Sequence, residues 1–204
     1  MTPILRPARP AGGASRSRQN ARACPKTPGP DRRIERTRDA LWLALLDLMR
    51  ECDWGDIGVQ ALCDRANVGR STFYAHFPTK QALLDWGFAR DGAAIRAQVV
   101  AASATIGEGR LATVEWLVSH MTGAKGFLRR LTASPSGYII QDRFRRTLRD
   151  VLGAELALRG LKVAPLRLTF QTGGLFAALE EAAAQGLPPE TMILRLSAEI
   201  LGTP

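Results

Sequence analysis

One short stretch dictates more about the fold than any other: Val59 to Lys80 reads VQALCDRANVGRSTFYAHFPTK, with Asn67 standing between two helix-forming segments. Two short helices that cross at a sharp angle make three demands. They need a small residue inside the first helix, a turn residue that tolerates positive φ, and an apolar residue beyond the turn to plug the angle. Cys63, Asn67 and Val68 meet them in order, with Asn in place of the more usual Gly. The pattern predicts a helix from about Val59 to Ala66 and a second from about Arg70 to His76. At about 100° per residue, Arg70, Ser71 and Tyr74 fall within an arc of roughly 100°. One face of the second helix therefore offers a guanidinium, a hydroxyl and a phenol together, while Phe73 and Phe77 turn inward.

The flanking sequence is helical as well. Ile34, Leu41, Leu45 and Leu48 form one stripe of a first helix whose other faces carry Glu35, Arg36, Arg38, Asp39 and Asp47. Gly55 and Gly58 break it before Val59.

The formal net charge of +9 looks like a nucleic-acid signature until it is divided along the chain. Residues 1–30 hold Arg6, Arg9, Arg16, Arg18, Arg22 and Lys26 and no acid, whereas residues 31–90 balance nine basic against nine acidic residues. Most of the excess lies in a Pro-, Gly- and Ser-rich leader too poor in apolar surface to offset its ordering entropy, so 1–30 is expected to be a disordered basic arm. Its functional reading is a set of extra phosphate contacts, and its plain reading a solvated extension. Its prolines oppose the amphipathic helix of a transit peptide, and it lacks the apolar core of a secretory signal.

The segment RSTFYAHFPTKQALL resembles the recognition helix and following turn of the TetR family of bacterial transcriptional regulators, and the likeness extends from about Ile34 to Trp86. The resemblance implies an all-α protein: a three-helix DNA-binding domain with a helix-turn-helix over 31–80, then a helical ligand-binding and dimerisation domain over 81–204. It implies that Arg70 and Ser71 reach base edges in the major groove, where a guanidinium suits the O6 and N7 acceptors of guanine. Thr72, Tyr74 and His76 would hydrogen-bond phosphates, and Lys80 would add a charge beside a positive helix end. Two positions depart from the family: Gly58 stands where a Thr or Ser commonly caps the second helix, and Gly69 where Ser commonly precedes the third. Glycine still serves as an N-cap at small cost but offers no hydroxyl.

Beyond Pro78 periodicity alone guides the reading. It predicts helices over about 79–102, 110–120, 125–131, 137–159, 165–185 and 188–201. In the helix over 137–159, Ile140, Phe144, Leu148, Val151 and Leu152 face one way and Arg143, Arg145, Arg146 and Arg149 the other, a pattern more typical of a solvated face than of an anion site. The final helix has Met192, Ile193, Leu196 and Ile200 on one side and Leu194, Ala198 and Leu201 on another. One core cannot cover both, so the last two helices are the expected homodimer interface, with Gly173 and Gly174 permitting close approach.

The remaining function classes are constrained by absence of pattern. No Gly-rich phosphate loop, GxSxG, HExxH or fixed carboxylate pair argues for an enzyme, and no cofactor is expected. Cys24, Cys52 and Cys63 lack metal-ligand spacing and His76 and His120 are the only histidines, so no metal site is expected either. No apolar run is long enough for a membrane span, and the expected location is the bacterial cytoplasm, on the nucleoid when bound to an operator. The partners implied are double-stranded DNA, a second copy of the chain and an unidentified small-molecule effector. Trp116, His120, Met121, Phe127, Tyr138, Phe144 and Phe176 are available to line an effector pocket, although each is more simply read as core. The competing readings are a helical interaction module that has lost specific DNA binding and, more remotely, a helical enzyme.

Overall fold

The computed structural model describes residues 30–123 and 137–202, which contain eight helices and no strand. The chain runs through α1 (Pro30–Glu51), α2 (Val59–Ala66), α3 (Arg70–His76) and α4 (Lys80–Ser103). It continues through α5 (Ala112–Gly123), α6 (Gly137–Leu158), α7 (Pro165–Ala184) and α8 (Pro189–Leu201). The all-helical expectation holds, and the helix ends fall within three residues of those read from the sequence. The basic arm, the helix expected at 125–131 and Phe127 lie outside the described residues.

In α1 the expected stripe is shorter than predicted. Leu41, Leu45 and Leu48 are buried, but Ile34 is 40% exposed because the first turns extend past the packed body. The largest side chain of the helix, Trp42, is fully buried against α4. Gly87 makes room for it: a Cβ at that position would overlap the indole ring. The indole N–H donates to Asp91 Oδ2 at 2.8 Å in a buried bond. None of these three residues stood out in the sequence.

α4 then lies along α6, where Gly92 faces Thr147 closely enough that a Cβ would sit 3.0 Å from Thr147 Cγ2. The five apolar residues predicted on one face of α6, Ile140, Phe144, Leu148, Val151 and Leu152, are all buried. The arginines opposite are distributed over ion pairs: Arg143 reaches Asp85 on α4 at 2.8 Å and Arg146 reaches Asp142 at 2.8 Å.

The start of α5 is capped from a distance. Fully buried Glu155 on α6 accepts from the backbone N–H groups of Ala112 at 2.7 Å and Thr113 at 2.8 Å, satisfying two of the donors that a helix start leaves open. Ser197 Oγ on α8 accepts a third, from Leu111 N–H at 3.1 Å. These bonds tie α5, α6 and α8 into one unit, and the buried hydrophobic residues form a single continuous cluster running from α1 to α8.

Candidate nucleic-acid interface

The turn between α2 and α3 is built as the sequence requires. Asn67 takes the left-handed conformation, φ 54° and ψ 48°, and among the described residues no other non-glycine has positive φ. Its N–H donates to Asp64 O at 3.2 Å while Val68 N–H donates to Cys63 O at 3.0 Å. This pair of bonds closes the end of α2 as a Schellman motif and fixes the direction in which the chain leaves. Cys63 is buried at the crossing, where burial pushes its thiol pKa up, and Val68 packs half-buried against the core. On the far side of α2, Arg65 grips Glu51 of α1 through two bonds of 2.9 and 2.6 Å.

On α3 the residues divide by face. Phe73 is fully buried and Phe77, just past the helix, is 4% exposed; they anchor α3 to α1 and α4. Arg70, Ser71 and Tyr74 are exposed, Tyr74 to 49%, and they project together from the outer side. Thr72 and His76 are half-buried at the flanks. Tyr74 is braced edge-on against Phe73, with ring centroids 5.3 Å apart, which leaves its hydroxyl end to solvent. A planar guanidinium, a hydroxyl and a phenol on a rigid short helix can hydrogen-bond base edges and phosphate oxygens of a duplex.

Gly58 and Gly69 occupy the N-caps of α2 and α3 in extended conformations, φ −87° and −75°. A Cβ on Gly58 would meet nothing within 4 Å, and one on Gly69 would meet only Ser71 Oγ at 3.7 Å and Thr72 Oγ1 at 3.9 Å. Neither backbone conformation nor packing therefore demands glycine.

Lys80, expected to add a charge beside a phosphate, is engaged by the loop between α1 and α2. Its ammonium donates to the backbone carbonyls of Trp54 at 2.6 Å and Ile57 at 2.7 Å and lies 4.5 Å from the Trp54 ring centroid. Partial burial lowers its pKa, with Asp56 opposing that shift. The side chain ties α4 to the loop between α1 and α2, and sequence spacing could not show this because the carbonyls are the partners. Lys80→Ala should cost about 1.5–3 kcal/mol in urea unfolding, the scale of hydrogen bonds to a charged group. The salt dependence of DNA binding should keep its wild-type slope; a slope shallower by about one would give Lys80 a phosphate contact as well.

The aromatic residues considered for an effector pocket mostly pack on one another. Trp116 stacks on His120 at 4.7 Å and on Phe144 at 6.3 Å, and Phe144 meets Phe176 edge-on at 5.3 Å. Met121 is buried and Tyr138 is 68% exposed. Burial pushes the His120 pKa down to about 4, so the ring is neutral at physiological pH, and its Nε2 has no hydrogen-bond partner among the described residues. A separate open crevice of about 490 Å³ runs between α4 and α6, lined by Phe88, Ala89, Gly92, Arg96 and Thr147 among others.

The family model for bacterial regulatory proteins of the tetR family matches residues 44–85, which span most of α1's packed half, the whole helix-turn-helix and the start of α4. An uncharacterized HTH-type transcriptional regulator of Bacillus subtilis (strain 168), YxbF, is 42% identical over 55 residues, a stretch that makes up 26% of this chain and 14% of that protein. Among solved structures, RolR in complex with the ligand resorcinol gives a TM-score of 0.49 at 18% identity, covering 84% of this chain and 89% of that one. A proposed fatty acid metabolism regulator of Clostridium perfringens also gives 0.49, at 11% identity, covering 81% of this chain and 98% of that one. Nothing about ligand or assembly passes to this chain from backbone likeness of that grade.

Proposed function

We infer that this chain, whose helix-turn-helix is that of the TetR family of bacterial regulatory proteins, is a ligand-responsive transcriptional regulator, a repressor that binds a palindromic operator as a homodimer. The observation that carries the reading is the outward set Arg70, Ser71 and Tyr74 on a helix whose direction is fixed by the closure at Asn67. In this reading Arg70 and Ser71 read base edges, and Thr72, Tyr74 and His76 hold phosphates.

The homodimer is supported by α7. Leu166 and Phe170 are 83% and 80% exposed, and Gly173 and Gly174, with open space around their Cβ positions, follow on the same side. Leu194 of α8 is 46% exposed, while Met192, Ile193, Leu196 and Ile200 fill the chain's own core. A second copy laid against α7 and α8 would cover the exposed set by two-fold symmetry. Two recognition helices would then meet half-sites about 34–36 Å apart, or a multiple of that spacing. An effector that prefers a dimer of different spacing releases DNA, and each tenfold of preference contributes about 1.4 kcal/mol.

The test is selection of bound fragments from genomic DNA. The regulator reading expects a discrete palindrome bound far more tightly than random duplex. Binding no better than the salt-sensitive nonspecific level would favour the other reading that Gly58 and Gly69 support, an interaction module without specific DNA binding. On the selected site, Arg70→Ala should cost about 1–3 kcal/mol and relax specificity at one base pair per half-site. Equal losses on selected and random DNA would remove Arg70 from base reading.

A further inference from the structure

We propose that Asp91, together with Arg90, is a positioning residue for DNA recognition: a buried carboxylate that locks α4 to α1 and so sets the angle at which α3 is presented. The inference rests on the dimeric regulator reading above, because only a pair of recognition helices has an angle and a spacing to control.

The argument starts from the cost of the arrangement. A carboxylate 3% exposed is an expensive group to place in a core unless its oxygens are satisfied. Burial pushes the Asp91 pKa above its ordinary value, while the Trp42 indole N–H and the Arg90 guanidinium pull the other way. Each oxygen has a separate partner on a separate element. Oδ2 accepts from Trp42 on α1 at 2.8 Å, and Oδ1 accepts from Arg90 on α4 at 2.9 Å. Arg90 also bonds Asp39, which returns the link to α1. A hydrophobic residue of similar volume would fill the same space without specifying a register; two directed bonds across the α1–α4 contact do specify one.

From this latch an unbroken series of rings leads to the recognition helix. Arg90 lies over Trp86 at 4.9 Å, Trp86 meets Phe77 at 5.6 Å, Phe77 meets Phe73 at 6.2 Å, and Phe73 braces Tyr74 at 5.3 Å. Packed rings of this kind transmit displacement because close-packed interiors do not yield continuously. The same turn of α4 also faces the crevice shared with α6, through Phe88, Ala89 and Gly92. The crevice and the ring series that ends at α3 thus border the same turn of α4.

The test uses the full-length chain and three duplexes: the selected operator, a single half-site, and operators with the half-sites moved by one or two base pairs. Asp91→Ala should bind the half-site within about twofold of wild type, since the reading residues are untouched. It should bind the operator about tenfold or more weakly and discriminate less between spacings, because simultaneous engagement depends on geometry. Asp91→Asn keeps an acceptor for the indole in the same shape but turns an NH2 toward the Arg90 donors, so it should recover part of the wild-type spacing profile. If Asp91→Ala does not fold, Trp42→Phe removes the N–H donor and takes its place. Operator and half-site affinities that fall by the same factor, an unaltered spacing profile, or an Asn variant no better than Ala would each overturn the proposal. A wild-type protein that prefers no discrete site would refute the regulator reading instead.

Discussion

Phe170→Asp will leave the protein monomeric at micromolar concentration and lower its affinity for a two-half-site operator by about 10²–10⁴-fold, the range over which linking two binding units raises avidity. Phe170 is 80% exposed, one helical turn beyond Leu166 at 83% and one before Gly173, whose Cβ position has open space. An aromatic residue at the centre of a two-fold contact appears twice in the interface, and truncating such an anchor costs about 2 kcal/mol or more. Aspartate goes further, since it brings two like charges together in the dry centre of the contact. Sedimentation velocity measures the mass, and anisotropy titration measures the affinity for operator and half-site duplexes. Half-site affinity should be preserved. A variant that sediments with the same dimeric mass as the wild type would place the proposed subunit contact away from α7, and a monomeric wild type would remove the contact altogether.

Gly87→Ala is the second large effect, and it arises inside the chain. The added methyl group would occupy the volume of the Trp42 ring, which is fully buried and held by its bond to Asp91. Overpacking of a filled core costs about 1–3 kcal/mol, and here it falls at the upper end because an indole has no smaller rotamer to retreat into. Denaturant unfolding should show the loss. Combining Gly87→Ala with Trp42→Leu should recover part of it, since the two substitutions act on one contact and cannot be additive. A double variant whose loss equals the sum of the single losses would show that the strain lies elsewhere.

These two sites mark the line between what was legible in the sequence and what was not. The helix-turn-helix was legible because its determinants are local: Cys63, Asn67 and Val68 fall within six residues, and their geometry follows from turn chemistry. The C-terminal helices were legible from spacing, as the buried set on α6 shows. The contact between Trp42 and Asp91 joins residues 49 positions apart, and no local pattern distinguishes that Asp from a solvated one. Gly87 reads as an ordinary helix position until the ring that needs its space is known. The loop partners of Lys80 were out of reach for a related reason. A lysine at a helix start looks like an anion contact, but the loop carbonyls of Trp54 and Ile57 compete for the ammonium. Ile34 had the correct phase for the first stripe, yet phase says nothing about how far a helix outruns the body it packs against.

The carboxylate of Glu155 gives α5 a start signal 43 residues downstream of that helix in the chain. At about 5–20 residues per second of synthesis, roughly 2–9 seconds separate emergence of Ala112 from emergence of its cap. The helix-turn-helix has every determinant of its turn in hand long before then. Newly made chains should therefore display a finished reading head on the ribosome while α5 still awaits its anchor, and chaperone contact should concentrate on the later half of the molecule.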